Sequence, residues 1–243
     1  MKIILVFALL FTPILSFAQE SDSGESKFSI GINFSPNCSY RTLKYPENLQ
    51  NLVDAREELE HPSLGFNTGI EAQYLPLKNL EIVLAVQLSR QTHMFREVPL
   101  TNIAGDDSLG FADNQLRYHY LGIPLRVNYR IVNQKFFVHI SAGVSINQLL
   151  SDKSRSWITY SNGDTEVVNS ESGIKDFNKT VIGLVGGIGL GYHINEKLNM
   201  RLEPLFRYSL TPLADAPIEQ YNYSIGCQIG VNVKLYKLHA GSQ

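Results

Sequence analysis

The chain has 243 residues with 21 Lys+Arg against 23 Asp+Glu, a formal net charge of −2. So mild an acidity offers no basic surface to a nucleic acid. Beyond the N-terminus no stretch stays apolar for the about 20 residues that a membrane-spanning helix needs, so a membrane could be crossed only by a closed barrel of strands.

The first 18 residues read as a signal peptide. Lys2 supplies the positive charge, Ile3 to Leu15 the apolar core, and Ser16-Phe17-Ala18 the small-x-small cleavage site. The mature chain, 19–243, is then a single barrel domain starting at Gln19. No cysteine follows the cleavage site, which argues against a lipoprotein anchor.

Eight stretches alternate apolar and polar residues, so each strand has one apolar and one polar face. In the first, Phe28, Ile30, Ile32 and Phe34 share one face, and Ser29, Gly31, Asn33 and Ser35 the other. A polar connection follows, in which Leu49, Leu52, Val53 and Leu59 are spaced like a short amphipathic helix; a loop resting these residues on the barrel mouth is the alternative. The second strand puts Ile70, Ala72 and Tyr74 outside and Glu71 and Gln73 inside, and turns at Pro76-Leu77-Lys78-Asn79. The third puts Ile82, Leu84 and Val86 outside and Glu81 and Gln87 inside. Asp106, Asp107 and Asp113 in the loop beyond lack calcium-loop spacing and read as a solvated acidic loop.

The fourth strand carries Leu121, Ile123, Leu125, Val127 and Tyr129 outward. Leu116, Tyr118 and Tyr120 have the opposite parity, which predicts either a bulge near Tyr120-Leu121 or upstream residues clear of the membrane. Pro124, unable to donate in the ladder, is expected beside that bulge. The fifth strand directs Phe136, Val138 and Ile140 outward and His139 and Ser141 inward. In the next loop, Asn162-Gly163 between two β-prone runs signals a type I′ hairpin rising above the barrel. The sixth strand alternates Ile182, Leu184, Ile188 and Leu190 with inward glycines, expected to make room for the arginines of the seventh. The seventh turns Leu202 and Phe206 out and Arg201, Glu203 and Arg207 in. The eighth alternates without exception, from Tyr221 to Leu235 on one face and from Asn222 to Lys234 on the other.

The expected fold is an all-β, eight-stranded, antiparallel, up-and-down transmembrane barrel, apolar outside and polar within. Short turns follow even strands and long loops follow odd ones. This asymmetry places the turns and both termini in the periplasm and the loops outside the cell. No Asp, Glu, Lys or Arg occupies an outward position in mid-strand, and Arg90, which has outward parity, sits at a strand end where it can snorkel. Phe28, Tyr74, Tyr129, Phe136 and Tyr192 mark one aromatic rim, and Tyr208, Tyr221 and Tyr223 the other.

Three segments resemble the small outer-membrane β-barrel family of Bacteroidetes, which includes the secretion-associated barrel PorT. They are Tyr120-Leu121-Gly122-Ile123-Pro124-Leu125, the glycine-rich run from Val185 to Tyr192, and the closing Gly230-Val231-Asn232-Val233-Lys234-Leu235. The resemblance implies an outer-membrane location and a role in secretion or assembly. One departure is that such barrels end in an outward aromatic residue, whereas here that position is Leu235, with Leu238 to Gln243 beyond it.

The chemistry gathers inside. Glu71, Glu81, Arg126, Arg130, His139, Arg201, Glu203, Arg207 and Lys234 all have inward parity. Eight strands enclose a space that side chains can fill, so these charges are expected to pair as a polar plug; a conducting path or proton relay is the alternative. His139-x-Ser141 resembles the base and hydroxyl of outer-membrane lipid A deacylases, but both face inward and the sequence identifies no third, orienting acid. A soluble lipocalin-like binder would invert the pattern, with apolar residues inside. Neither an enzyme nor a cofactor is expected. The expected partners are outer-membrane lipids and, through loops 41–63, 92–114 and 151–176, other envelope proteins; the barrel is expected to be monomeric. Cys38 and Cys227 fall on adjacent strands, but paired strands rarely meet bridging geometry, so two lipid-side thiols are the expected state and a disulfide the alternative.

Overall fold

The computed structural model describes residues 27–101, 108–171 and 177–235. The expected signal peptide, Asp106, Asp107 and the segment from Leu238 onward lie outside the described residues. The elements in chain order are β1 (Phe28–Lys44), α1 (Gln50–Leu59), β2 (Glu60–His61), β3 (Ser63–Leu77), β4 (Leu80–Thr101), β5 (Ser108–Asn133), β6 (Phe136–Tyr160), β7 (Thr165–Ser170), β8 (Thr180–His193), β9 (Leu198–Ser209) and β10 (Glu219–Lys234).

Eight of these strands close a ring in the order β1-β3-β4-β5-β6-β8-β9-β10. All its pairings are antiparallel, and β1 pairs β10 to seal it. Closure leaves no edge within the barrel wall. The alternation sets which way each face turns. Ile32, Ile70, Ile188 and Ile225 are at least 60 % exposed, whereas their neighbours Asn33, Glu71 and Ser224 are 4 % exposed or less. The apolar rows face out and the polar rows in, opposite to a soluble binder with an apolar cavity. Phe28 stacks on Tyr74 and Phe136 meets Tyr192 at the short-turn rim, while Phe206 and Tyr40 flank Tyr223 at the other. Arg90 lies with its guanidinium 4.8 Å from the Phe66 ring centre, at the end of its strand's outward apolar row.

Several expectations are corrected. Much of the expected loops 92–114 and 151–176 is strand: β4, β5 and β6 run for 22, 26 and 25 residues, against the about 9–11 that cross a bilayer. With β7, which pairs β6, they rise beyond the barrel as a sheet. The first connection does form a helix, α1, and of its apolar residues only Val53 is buried.

No phase change occurs on β5. Tyr118 and Tyr120 face inward with Arg126, and they pack against Val181 and Leu213 at the long-loop mouth. The register shift falls on the partner strand instead: His119 pairs Ser151 and Tyr120 pairs Leu149, which leaves Leu150 as the extra residue. Pro124 stands apart from that shift, in regular register with Ser145.

The hairpin at Asn162-Gly163 is present, but its turn is not type I′. Gly163 donates its N–H to the Tyr160 carbonyl at 2.9 Å and alone in the turn has positive φ, +91°; Tyr160 then pairs Asp164. This is a three-residue connection ending in a left-handed glycine. Cys38 registers with Ile225, and Cys227 with Pro204, so the two thiols are not opposite each other and both are free.

Candidate functional site: a layered polar lumen

Inward side chains from the ring strands fill the barrel in layers. The ionic layer occupies the short-turn half. Glu71 on β3, Glu81 on β4 and Glu203 on β9 are each 3 % exposed or less. Carboxylates so buried persist as charges when cations and hydrogen-bond donors meet their oxygens, and here all but Glu203 Oε1 are bonded. Glu81 receives Arg130 Nη2 at 2.6 Å, Arg201 Nη1 at 2.9 Å and Asn128 Nδ2 at 3.1 Å. Glu71 is bonded by Arg201 Nη2, by Gln73 Nε2 at 2.7 Å and by Asn33 Nδ2 at 3.2 Å, with Arg126 Nη2 at 3.7 Å. Glu203 receives Arg126 Nη1 at 2.8 Å and lies 3.4 Å from His139 Nε2.

Six of the nine charged residues expected in the lumen thus join one network, with His139 at its margin. The other two stand apart. Lys234 is half-buried at the short-turn rim, and Arg207 lies above the ionic layer and makes no ion pair among the described residues. The amides that complete the network, Asn33, Gln73 and Asn128, have the correct parity for it, but sequence alone gives no way to match each amide to its carboxylate.

Below this layer Phe137 closes the short-turn end. Its ring lies 4.8 Å from that of His193, and the Arg130 guanidinium sits 4.8 Å from its centre. Phe137 breaks the polar-inside pattern, so alternation does not point to it. The inward glycines of β8 answer to it. A Cβ on Gly191 would collide with the Phe137 ring, and one on Gly189 with the His139 ring. They make room for the aromatic rings of β6 rather than for the arginines of β9.

At the long-loop end a second charged cluster lies above the apolar rows. Glu60, at the end of α1, bonds Arg41 and lies 3.3 Å from His93 Nδ1. Arg41 and Arg56 each place a guanidinium 5.5 Å from the Phe95 ring centre. Burial, with Arg41 and Arg56 nearby, pushes the His93 pKa down to about 3. The imidazole is therefore neutral at physiological pH, and its Nδ1–H can donate to Glu60. Together with Tyr118, Tyr120 and Leu213 this cluster covers the mouth.

The hydrolase arrangement gains one part and lacks another. Glu203 is an acid beside His139 that the sequence did not reveal, yet Ser141 Oγ makes no hydrogen bond. His139 and Ser141 are 2 % exposed or less, inside the ring and away from lipid.

A closed antiparallel ring with lipid-facing apolar rows and a salt-bridged interior defines a small outer-membrane β-barrel. The chain belongs to the outer membrane protein beta-barrel domain family, whose model matches residues 17–216. Solved structures of similar shape include neisserial surface protein A (16 % identity, covering 88 % of this chain and 100 % of that one, TM-score 0.45). OprG from Pseudomonas aeruginosa is similar at 14 % identity, 88 % and 98 % coverage and TM-score 0.45. Ail from Yersinia pestis is similar at 13 % identity, 85 % and 99 % coverage and TM-score 0.35. No curated protein matches the chain in sequence.

Proposed function

We propose that this protein is a non-conducting, non-enzymatic barrel that anchors a raised β-sheet at the cell surface, where the sheet contacts other envelope or extracellular proteins. The carrying observation is the length of β4, β5 and β6, at least twice what a bilayer requires, above a lumen filled with paired charges. A rigid scaffold that lifts surface away from lipid suits recognition. Among the described residues the sheet ends at β7, whose six residues are all exposed and which pairs with β6 alone. An edge of this kind accepts a further strand from a partner.

The resemblance to PorT supports a second reading, in which the same sheet docks components of protein secretion or assembly. A lipid-modifying hydrolase gains no support, since His139 and Ser141 are enclosed.

The test combines two measurements. Purified protein in planar bilayers should show no steady conductance. A variant with the 154–170 hairpin replaced by a short Gly-Ser turn should still migrate as a folded, heat-modifiable barrel, but lose the envelope proteins cross-linked to the intact form. Porin-like channels, or an unchanged cross-linking pattern, would overturn the proposal.

A further inference from the structure

The lumen charges do not balance. Among its described residues, the barrel interior sets Arg126, Arg130, Arg201 and Arg207 against Glu71, Glu81 and Glu203, and the three glutamates are engaged by the first three arginines. Arg207 is the cation left over. Its charged neighbours are Arg126, which repels it, and Glu203, whose Oε2 is taken by Arg126 Nη1 and whose Oε1 lies 3.4 Å from His139 Nε2. Its register partners, Val185 and Ser224, carry no charge. Arg207 Nη1 is shut off from solvent and has no hydrogen-bond partner. A buried donor left without a partner costs free energy, and more so when it belongs to a charged group.

This guanidinium lines a cavity of ≈ 30 Å³ just above the ionic layer. The wall includes Asn67, Ser89, Ser145, Asn222 and Ser224 and contains no carboxylate. Asn67 supplies a second orphan. Its Oδ1 accepts from Ser89 Oγ, while its Nδ2 is buried without a partner. Two unpartnered donors, one of them charged, thus border a single acid-free cavity with room for a small ion. An anion there would meet both donors and the charge.

We propose that this cavity is a binding site for one chloride-sized inorganic anion, held by Arg207 Nη1 and Asn67 Nδ2. The anion completes the charge balance of the lumen. Arg207 is only half-buried overall, which gives the site a route to solvent. The inference is independent of what the raised sheet binds.

The test uses the full mature chain refolded in detergent. Titration with sodium chloride should broaden the chloride NMR line saturably, and bromide should compete. Arg207→Gln, checked for folding by heat-modifiability, should weaken the saturable broadening by about tenfold or more, since it removes a charge-assisted contact. Absence of saturable broadening in the natural protein, or equal broadening in the variant, would overturn the proposal. If Arg207→Gln does not fold, crystals of the natural protein soaked in bromide decide: an anomalous peak in contact with Arg207 and Asn67 supports the site, and a cavity without bromide refutes it.

Discussion

Arg201 and Glu81 lie on β9 and β4, four strands apart whichever way the ring is followed, yet Arg201 Nη1 meets Glu81 Oε1 at 2.9 Å. The bond spans the barrel. The other Arg201 nitrogen reaches Glu71 on β3, so one guanidinium ties three parts of the wall together. Such a contact cannot form until all eight strands are in place, so it rewards complete closure alone.

Removing Arg201 should therefore cost more than losing a surface ion pair. Arg201→Met leaves Glu71 and Glu81 short of a partner in the lumen, and breaking a buried pair in this way costs about 3–5 kcal/mol. Adding Glu81→Gln should recover part of the loss, because it removes one of the stranded charges. Urea unfolding in detergent, followed by the heat-modifiable band, measures both. An Arg201→Met variant as stable as the parent would show that the brace contributes nothing.

The outward rows make a second prediction. Ile229 is 46 % exposed on β10, in the middle of the apolar row, and arginine near the bilayer midplane costs about 2–4 kcal/mol. Ile229→Arg should lower the folded fraction in lipid vesicles, whereas Ile229→Val should leave it near the natural level. Equal assembly of the two would mean that this face does not meet lipid.

Gly191 and Phe137 form a matched pair. Gly191→Ala should destabilise the barrel by about 1–3 kcal/mol through overpacking, because the new methyl group meets a ring held by Arg130 and His193. Phe137→Leu in the same chain should restore much of the loss. If Gly191→Ala is harmful and Phe137→Leu gives no relief, the clash lies elsewhere.

The barrel was legible in the sequence because one physical rule, alternation between lipid and lumen, acts on nearly every residue from Phe28 to Lys234. The same rule gave the inward position of Glu71, Arg126 and Arg201. It could not give their pairing, which depends on which strands face each other across the ring. It also could not reach places where the inside ceases to be polar. Phe137, Tyr118 and Tyr120 point inward as aromatics, because a closed end must exclude water and a ring does so better than an amide. The upward extension of β4, β5 and β6 was hidden for a related reason: above the membrane both faces meet water, so the alternation fades.

His93 carries the pH prediction. Its pKa in the folded protein, about 3, is below the about 6.5 of an unfolded chain. On lowering the pH the unfolded form takes up the proton first, so this residue's contribution is intact above about 6.5 and declines as the pH falls towards 3. The α1 cap should therefore loosen on acidification, seen as a falling melting temperature and faster proteolysis at Arg56. His93→Phe should flatten that part of the profile. A variant that retains the full acid slope would assign it to other groups.

The two longest strands determine how the raised sheet bears load. β5 and β6 stay paired from Gly110 opposite Tyr160, near the tip, to Asn133 opposite Phe137, at the far rim, with only local register shifts. No loop interrupts the path. A partner tugging the tip away from the cell would thus pull parallel to the strands, and their backbone hydrogen bonds would resist together in shear instead of opening one by one. The lipid-embedded wall and the exposed sheet form one continuous tension member, so force applied outside is delivered to the barrel itself rather than absorbed by a hinge.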